Sequence, residues 1–185
     1  PSMTLYPLIN VQEIPASLDQ FLELRDALAA TPEGGAVVIV IALLLYANAP
    51  DGDLGQHALT IAVDHSRLRE KADGYQGWGL LPIDFQRVVR QIRDRPWTPR
   101  SYFLGTTPDE GYQLPTPPYQ FELSDNVHSG DTEAGVYKVF VRSSGAASPR
   151  PVTMKRNNRG VWKALEWSSL LMGVMPPNKH IDDTL

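Results

Sequence analysis

The chain has 185 residues, 42% of them apolar and 21% charged, with a formal net charge of −4 and no cysteine. That length and composition suffice for a packed core and exclude general disorder. The lack of cysteine excludes a disulfide framework, a thiolate nucleophile and every Cys-bearing zinc site, and the net acidity argues against binding nucleic acid through its phosphates.

The opening Pro1-Ser2-Met3-Thr4 carries no basic, apolar leader pattern, and Met3 reads as the natural start behind a two-residue cloning remnant. Ser17 with Gln20 three residues later is a capping-box start for a first helix. Leu18, Phe21, Leu22, Arg25 and Leu28 follow at helical spacing, and Pro32 with Gly34-Gly35 is expected to end it. The longest apolar run, Ala36 to Ala47, has no polar stripe. It is shorter than the roughly 20 residues of a membrane span, so it is expected to be a helix enclosed by other elements. Pro50-Asp51-Gly52-Asp53 is turn chemistry, and a third helix is expected from about Gly55 to Leu68. Asp73-Gly74 and Gly77-Trp78-Gly79 interrupt the pattern. Pro82 suits the first turn of a fourth helix that buries Phe85, Val88, Val89 and Ile92 and stops at Pro96.

Beyond Pro96 the character changes. Five prolines and two glycines crowd the connection to Pro118 and leave little room for regular structure. The period then becomes two, with short strands at Gln120–Leu123 and Val136–Arg142. A hairpin joins Val152–Arg156 to Val161–Trp167 through Asn157-Asn158-Arg159-Gly160. The reading is an α+β fold, with an N-terminal layer of about four helices packed on a C-terminal antiparallel sheet of about four strands. It forms a single domain over residues 4–177, with residues 1–3 outside it and residues 178–185 as a frayed polar tail.

The chemistry-bearing residues show no paired arrangement in the sequence. His57, His65, His128 and His180 lack metal-ligand spacing, and no phosphate loop or nucleophile elbow is present. Ser143-Ser144 and Ser168-Ser169 have no neighbouring base, and the acid pairs Asp51/Asp53, Asp109/Glu110 and Asp131/Glu133 sit in turns. No catalytic residue, metal or cofactor is therefore expected. Two surfaces remain as candidates. One is the stretch Lys138 to Lys163, which holds seven basic residues and no acid, and which would suit a protein partner with an acidic surface. The other is the aromatic, proline-rich seam from Pro96 to Tyr119. Together they give a candidate binding surface with Arg100, Tyr102, Tyr112, Arg150 and Trp167 as anchors.

Several stretches resemble a bacterial family catalogued only as a domain of unknown function. They include Pro99-Arg100-Ser101-Tyr102, Gly105-Thr106-Thr107-Pro108, Ser148-Pro149-Arg150-Pro151, Gly160-Val161-Trp162-Lys163, Glu166-Trp167-Ser168-Ser169-Leu170 and Gly173-Val174-x-Pro176-Pro177. The resemblance spans about residues 17–177 and implies no activity. The residues point to a non-enzymatic binding or interaction module of the cytosol, with no nucleic-acid or membrane partner, and the resemblance implies a bacterial one. The alternatives are a small hydrolase whose site assembles only in the fold, using His57 or His65, and a cone-shaped sheet around a ligand cavity.

Overall fold

The computed structural model describes residues 3–178. The expectations for Pro1-Ser2, for His180 and for the tail beyond Asn178 fall outside these residues.

Helix α1 spans Leu18–Leu28. The Ser17 hydroxyl accepts a hydrogen bond from the Gln20 amide (3.2 Å), and the Gln20 side chain accepts one from the Ala16 amide (2.7 Å). The expected cap is therefore present, with its return arm shifted one residue toward the N-terminus. Pro32 and Gly34-Gly35 do not end this helix. They open the next one, α2 (Pro32–Asn48), with Thr31 as its cap and Pro32 in its first turn. The two glycines are there for space. A Cβ on Gly34 would lie 1.8 Å from the Leu28 carbonyl oxygen, and one on Gly35 would lie 2.6 Å from that of Trp162.

Every residue from Gly34 to Tyr46 is buried, so the long apolar run is the axis of the core. Helix α3 (Asp53–Ala62) packs along one side of α2. The main antiparallel sheet packs along the other. Its strands are β1 (Thr4–Leu5), β6 (Leu123–Asp125), β8 (Val136–Val141), β9 (Arg150–Arg156) and β10 (Trp162–Glu166), paired in that spatial order, with β7 (Gly130–Asp131) added beside β8. Val139, Val141, Val152, Met154, Trp162 and Ala164 are buried, which is the inward half of the alternation visible in the sequence. The fold is thus α+β, with helices mostly early and strands mostly late, and with more strands than the four expected. Because α2 fills the inner face of this sheet, the sheet does not enclose a cone-shaped cavity.

The third helix ends six residues before the expected Leu68. Val63 leaves helical geometry to form a parallel bridge with Ala164, and the Asp64 amide donates to the Ala164 carbonyl (2.8 Å). Together with the Trp162 amide, which donates to the Ala29 carbonyl (2.8 Å), this covers the outer edge of β10. Leu68 instead begins a hairpin, β3 (Leu68–Tyr75) and β4 (Trp78–Leu80), where the sequence suggests only interrupted helix. Its turn holds Gln76 and Gly77 at positive φ, the geometry of the tight turn that matches strand twist. A second two-stranded sheet joins β2 (Ile9–Val11) to β5 (Tyr119–Phe121). Helix α4 covers Pro82–Val88 and continues into a wider helical turn over Val89–Arg93. Among the described residues no helix is long and apolar enough to cross a membrane.

Candidate functional site

The seam that the sequence singles out is a packed joint. Tyr102 and Tyr112 are fully buried and Trp167 is nearly so. The Tyr102 hydroxyl donates to the Leu170 carbonyl (2.8 Å) and the Tyr112 hydroxyl to the Met175 carbonyl (2.5 Å). Burial raises both phenols above the usual tyrosine range. Half-buried Arg150 donates through Nη2 to the Met172 carbonyl (2.9 Å), and half-buried Arg100 stands on the short helical turn Thr98–Tyr102. The serines belong to the same joint. Ser143 donates to Ser101 Oγ (2.8 Å), Ser144 Oγ lies 2.9 Å from Thr106 Oγ1, and the Met175 amide donates to the Gly145 carbonyl (2.8 Å).

Four of the five expected anchors, Tyr102, Tyr112, Arg150 and Trp167, thus meet the segment from Trp167 to Asn178 or belong to it. The three aromatic anchors are corrected from surface to interior. Their apolar rings gain more from burial in the joint than from exposure, so a partner does not reach them.

A different group of residues lines a cleft of about 620 Å³. One wall is α1, through Leu22 and Arg25. The floor is the end of α3 and the turn after it, through Ile61, Asp64 and His65. The β3–β4 hairpin supplies Tyr75 and Trp78, and the β9–β10 hairpin supplies Arg159 and Lys163. Trp78 meets the His65 ring edge-on with centroids 4.6 Å apart, which makes a flat aromatic side to the cleft.

Lys163 is the unusual member. Strand alternation turns it away from its buried neighbours Trp162 and Ala164, and its ammonium donates to the Ile61 carbonyl in the last turn of α3. That turn carries no basic residue of its own, so the amine also answers the negative end of the helix dipole. An ammonium has three N–H donors, and this contact uses one. Among the described residues no carboxylate forms an ion pair with it.

The nearby acids are engaged elsewhere. Asp26 holds Arg25 (2.9 Å), and Asp64 Oδ2 accepts from the Ser66 amide and hydroxyl. Lys155, directly opposite Lys163 on β9, adds a like charge. Burial, with a smaller contribution from the Arg25 guanidinium, pushes the Lys163 amine down to about 8.

Two other clefts hold ion pairs. Beside the hairpin, a space of about 300 Å³ holds Lys71 paired with Asp73 (2.7 Å). Another, of about 230 Å³, is built on Arg67, whose Nε and Nη2 bind both oxygens of buried Asp84 (3.2 and 2.9 Å). Neither the His57 nor the His65 ring is hydrogen-bonded to a serine or carboxylate among the described residues, the geometry that the hydrolase reading requires. Nor does any cluster of three or more metal-ligating side chains occur among those residues.

Compared with known families, residues 13–178 match the model of a domain of unknown function, DUF6935. The chain belongs to this family. No curated protein and no solved structure gives a significant match. The match to the DUF6935 model covers both the seam and the cleft, and it ends at Asn178, whose amide donates to the Pro108 carbonyl (3.0 Å).

Within this DUF6935 domain, the sequence places Lys163 in the basic stretch but does not set it apart from Lys138, Arg142 or Lys155. The one local signal is its position inside Val161-Trp162-Lys163-Ala164-Leu165, a cation within an otherwise apolar strand. Its isolation depends on α1 and α3, which lie a hundred or more residues away in the chain.

Proposed function

We propose that this domain is a non-enzymatic binding module of a bacterial cytosolic protein, and that the cleft around Lys163 receives an acidic segment of a protein partner. The single observation that carries this reading is a part-buried ammonium that forms no ion pair among the described residues, with Asp64 and Asp26 acting on it only from a distance. A buried charge without a partner is costly, and a carboxylate entering the cleft would supply the missing acceptor. Arg25, His65 and Arg159 at the same cleft favour the same sign of ligand, while Tyr75 and Trp78 offer apolar contact beside the charge. The basic residues of β8 and β9 extend the positive field away from the cleft. A cytosolic setting fits a chain without cysteine.

The test is a titration of a fluorescent glutamate-rich peptide containing one leucine or tryptophan, read by anisotropy. Saturable binding that weakens with salt and is lost in K163M is the expected result. Equal binding by wild type and K163M would move the site elsewhere. No saturable binding at any ionic strength would reject the reading.

A further inference from the structure

The amine that forms no ion pair among the described residues is also a nucleophile at the wall of an open cleft in which cations outnumber acids. We propose that Lys163 is a modification site, acylated without an enzyme by small anionic acyl donors of the acyl-phosphate class, and that this acylation switches off binding of the acidic segment. The second half rests on the function proposed above; the first half stands independently of it.

Three features of the site support the acylation itself. First, the donor is an anion, and Arg159, which forms no ion pair among the described residues, lines the same cleft as the amine, so the phosphoryl group has a guanidinium partner there; Arg25 on the facing wall is already paired with Asp26. Second, the Ile61 carbonyl takes one N–H of the amine, which directs the lone pair of the neutral form off that contact. Third, partial burial, with the Arg25 guanidinium adding to it and Asp64 and Asp26 opposing it, lets this lysine lose its proton more readily than a surface lysine, the general route by which amines are activated.

The step balances without a further reagent. The neutral Nζ attacks the acyl carbon, an N–C bond forms, and the C–O bond to phosphate breaks with its electron pair. The departing phosphate takes up the proton that the nitrogen loses. The product is a neutral amide and inorganic phosphate.

The expected preference can be sized. At about pH 7.5, an amine that titrates near 8 is roughly a quarter neutral, whereas an ordinary lysine is neutral about one time in a thousand. A weaker base is also a weaker nucleophile, which removes much of that gain and leaves about a tenfold advantage. Acylation would then erase the charge that the acidic segment needs.

The experiment treats the full chain with acetyl phosphate and follows each lysine by peptide mass spectrometry, with acetyl-CoA as a parallel arm. Lys163 should acetylate about tenfold faster than exposed Lys155, and faster with acetyl phosphate than with the thioester. The preference should vanish in concentrated urea and shrink in R159A. A Lys163 rate equal to that of Lys155, or a preference that persists in urea, would overturn the modification site. A faster thioester reaction would overturn the acyl-phosphate assignment.

The switch is read separately, by titrating the glutamate-rich peptide into acetylated, mock-treated and K163Q protein, each checked by thermal melting. Loss of binding in the acetylated and K163Q samples supports the switch. Binding that survives acetylation overturns the switch but leaves the modification intact. Failure of the mock-treated protein to bind counts against the binding function alone.

Discussion

The seam and the cleft are built from similar residue types and end in opposite electrostatic states. In the seam, tyrosine and serine hydroxyls each find a carbonyl or hydroxyl, and only Trp97 Nε1 and the Nε atoms of Arg100 and Arg150 are left buried without a partner. In the cleft, a lysine ammonium has one carbonyl acceptor, and of the two guanidinium groups along the walls Arg25 is paired with Asp26 while Arg159 forms no ion pair among the described residues. Aromatic and proline richness therefore marks where this chain packs against itself. A charged group with spare donors at an open cleft marks where something else fits.

Substitutions should separate the two regions, and the largest effect belongs to the seam. A Cβ on Gly145 would lie 2.2 Å from the Tyr112 hydroxyl and 2.8 Å from Val174. Tyr112 is rigid and enclosed, so G145A should cost about 3 kcal/mol in urea unfolding, at the upper end of overpacking. A loss under about 1 kcal/mol would show that the joint is looser than its geometry implies.

Next comes Y102F, which leaves the Leu170 carbonyl buried without its donor. The expected loss is about 1–2 kcal/mol by the same measurement.

A comparable effect concerns pH. The Lys163 amine titrates near 8 in the fold and near 10.4 when unfolded, so between those values the unfolded chain holds more protons and stability rises with pH. By linkage that displacement corresponds to at most roughly 3 kcal/mol, and the phenols that titrate next cut the rise to about 1–2 kcal/mol. Tyr6, Tyr102, Tyr112 and Tyr137 have the opposite sign. Their phenols are raised in the fold, so above about pH 10 the unfolded chain ionises first and stability falls. Thermal melting should thus show a maximum near pH 9–10, and K163M should lack the rising limb.

Smallest of all is the effect of K163M on stability at neutral pH. The substitution trades one hydrogen bond for the removal of an uncompensated charge, and the net change should be within about 0.5 kcal/mol. Its effect on the acidic peptide should be complete. That pairing would distinguish a lysine kept for recognition from one kept for folding.

Local rules carried much of the fold. The cap of α1, the proline start of α4, the Asn157–Gly160 turn and the alternation of β8 are all set by neighbours in sequence, and all appear as expected. Expectation failed where distant contacts decide. Val63 leaves its helix because β10 offers it an edge, and Gly34-Gly35 enters a helix because Leu28 and Trp162 lie against it. The β3 strand has little buried alternation because only a short hairpin partner covers it. The candidate site was less legible than the fold. Arg100, Tyr102, Tyr112, Arg150 and Trp167 drew attention by residue type, whereas Lys163 stands out only by forming no ion pair among the described residues while lining a cleft.

The covered edge of β10 also limits how a partner can attach. With the Asp64 and Trp162 amides already paired to Ala164 and Ala29, that rim offers few main-chain groups for an incoming strand. Recognition by strand addition is disfavoured there, as is the self-templated growth that open sheet margins invite. A guest beside β10 must be held by side chains, so its charge pattern, rather than its readiness to extend a sheet, would decide whether it is accepted.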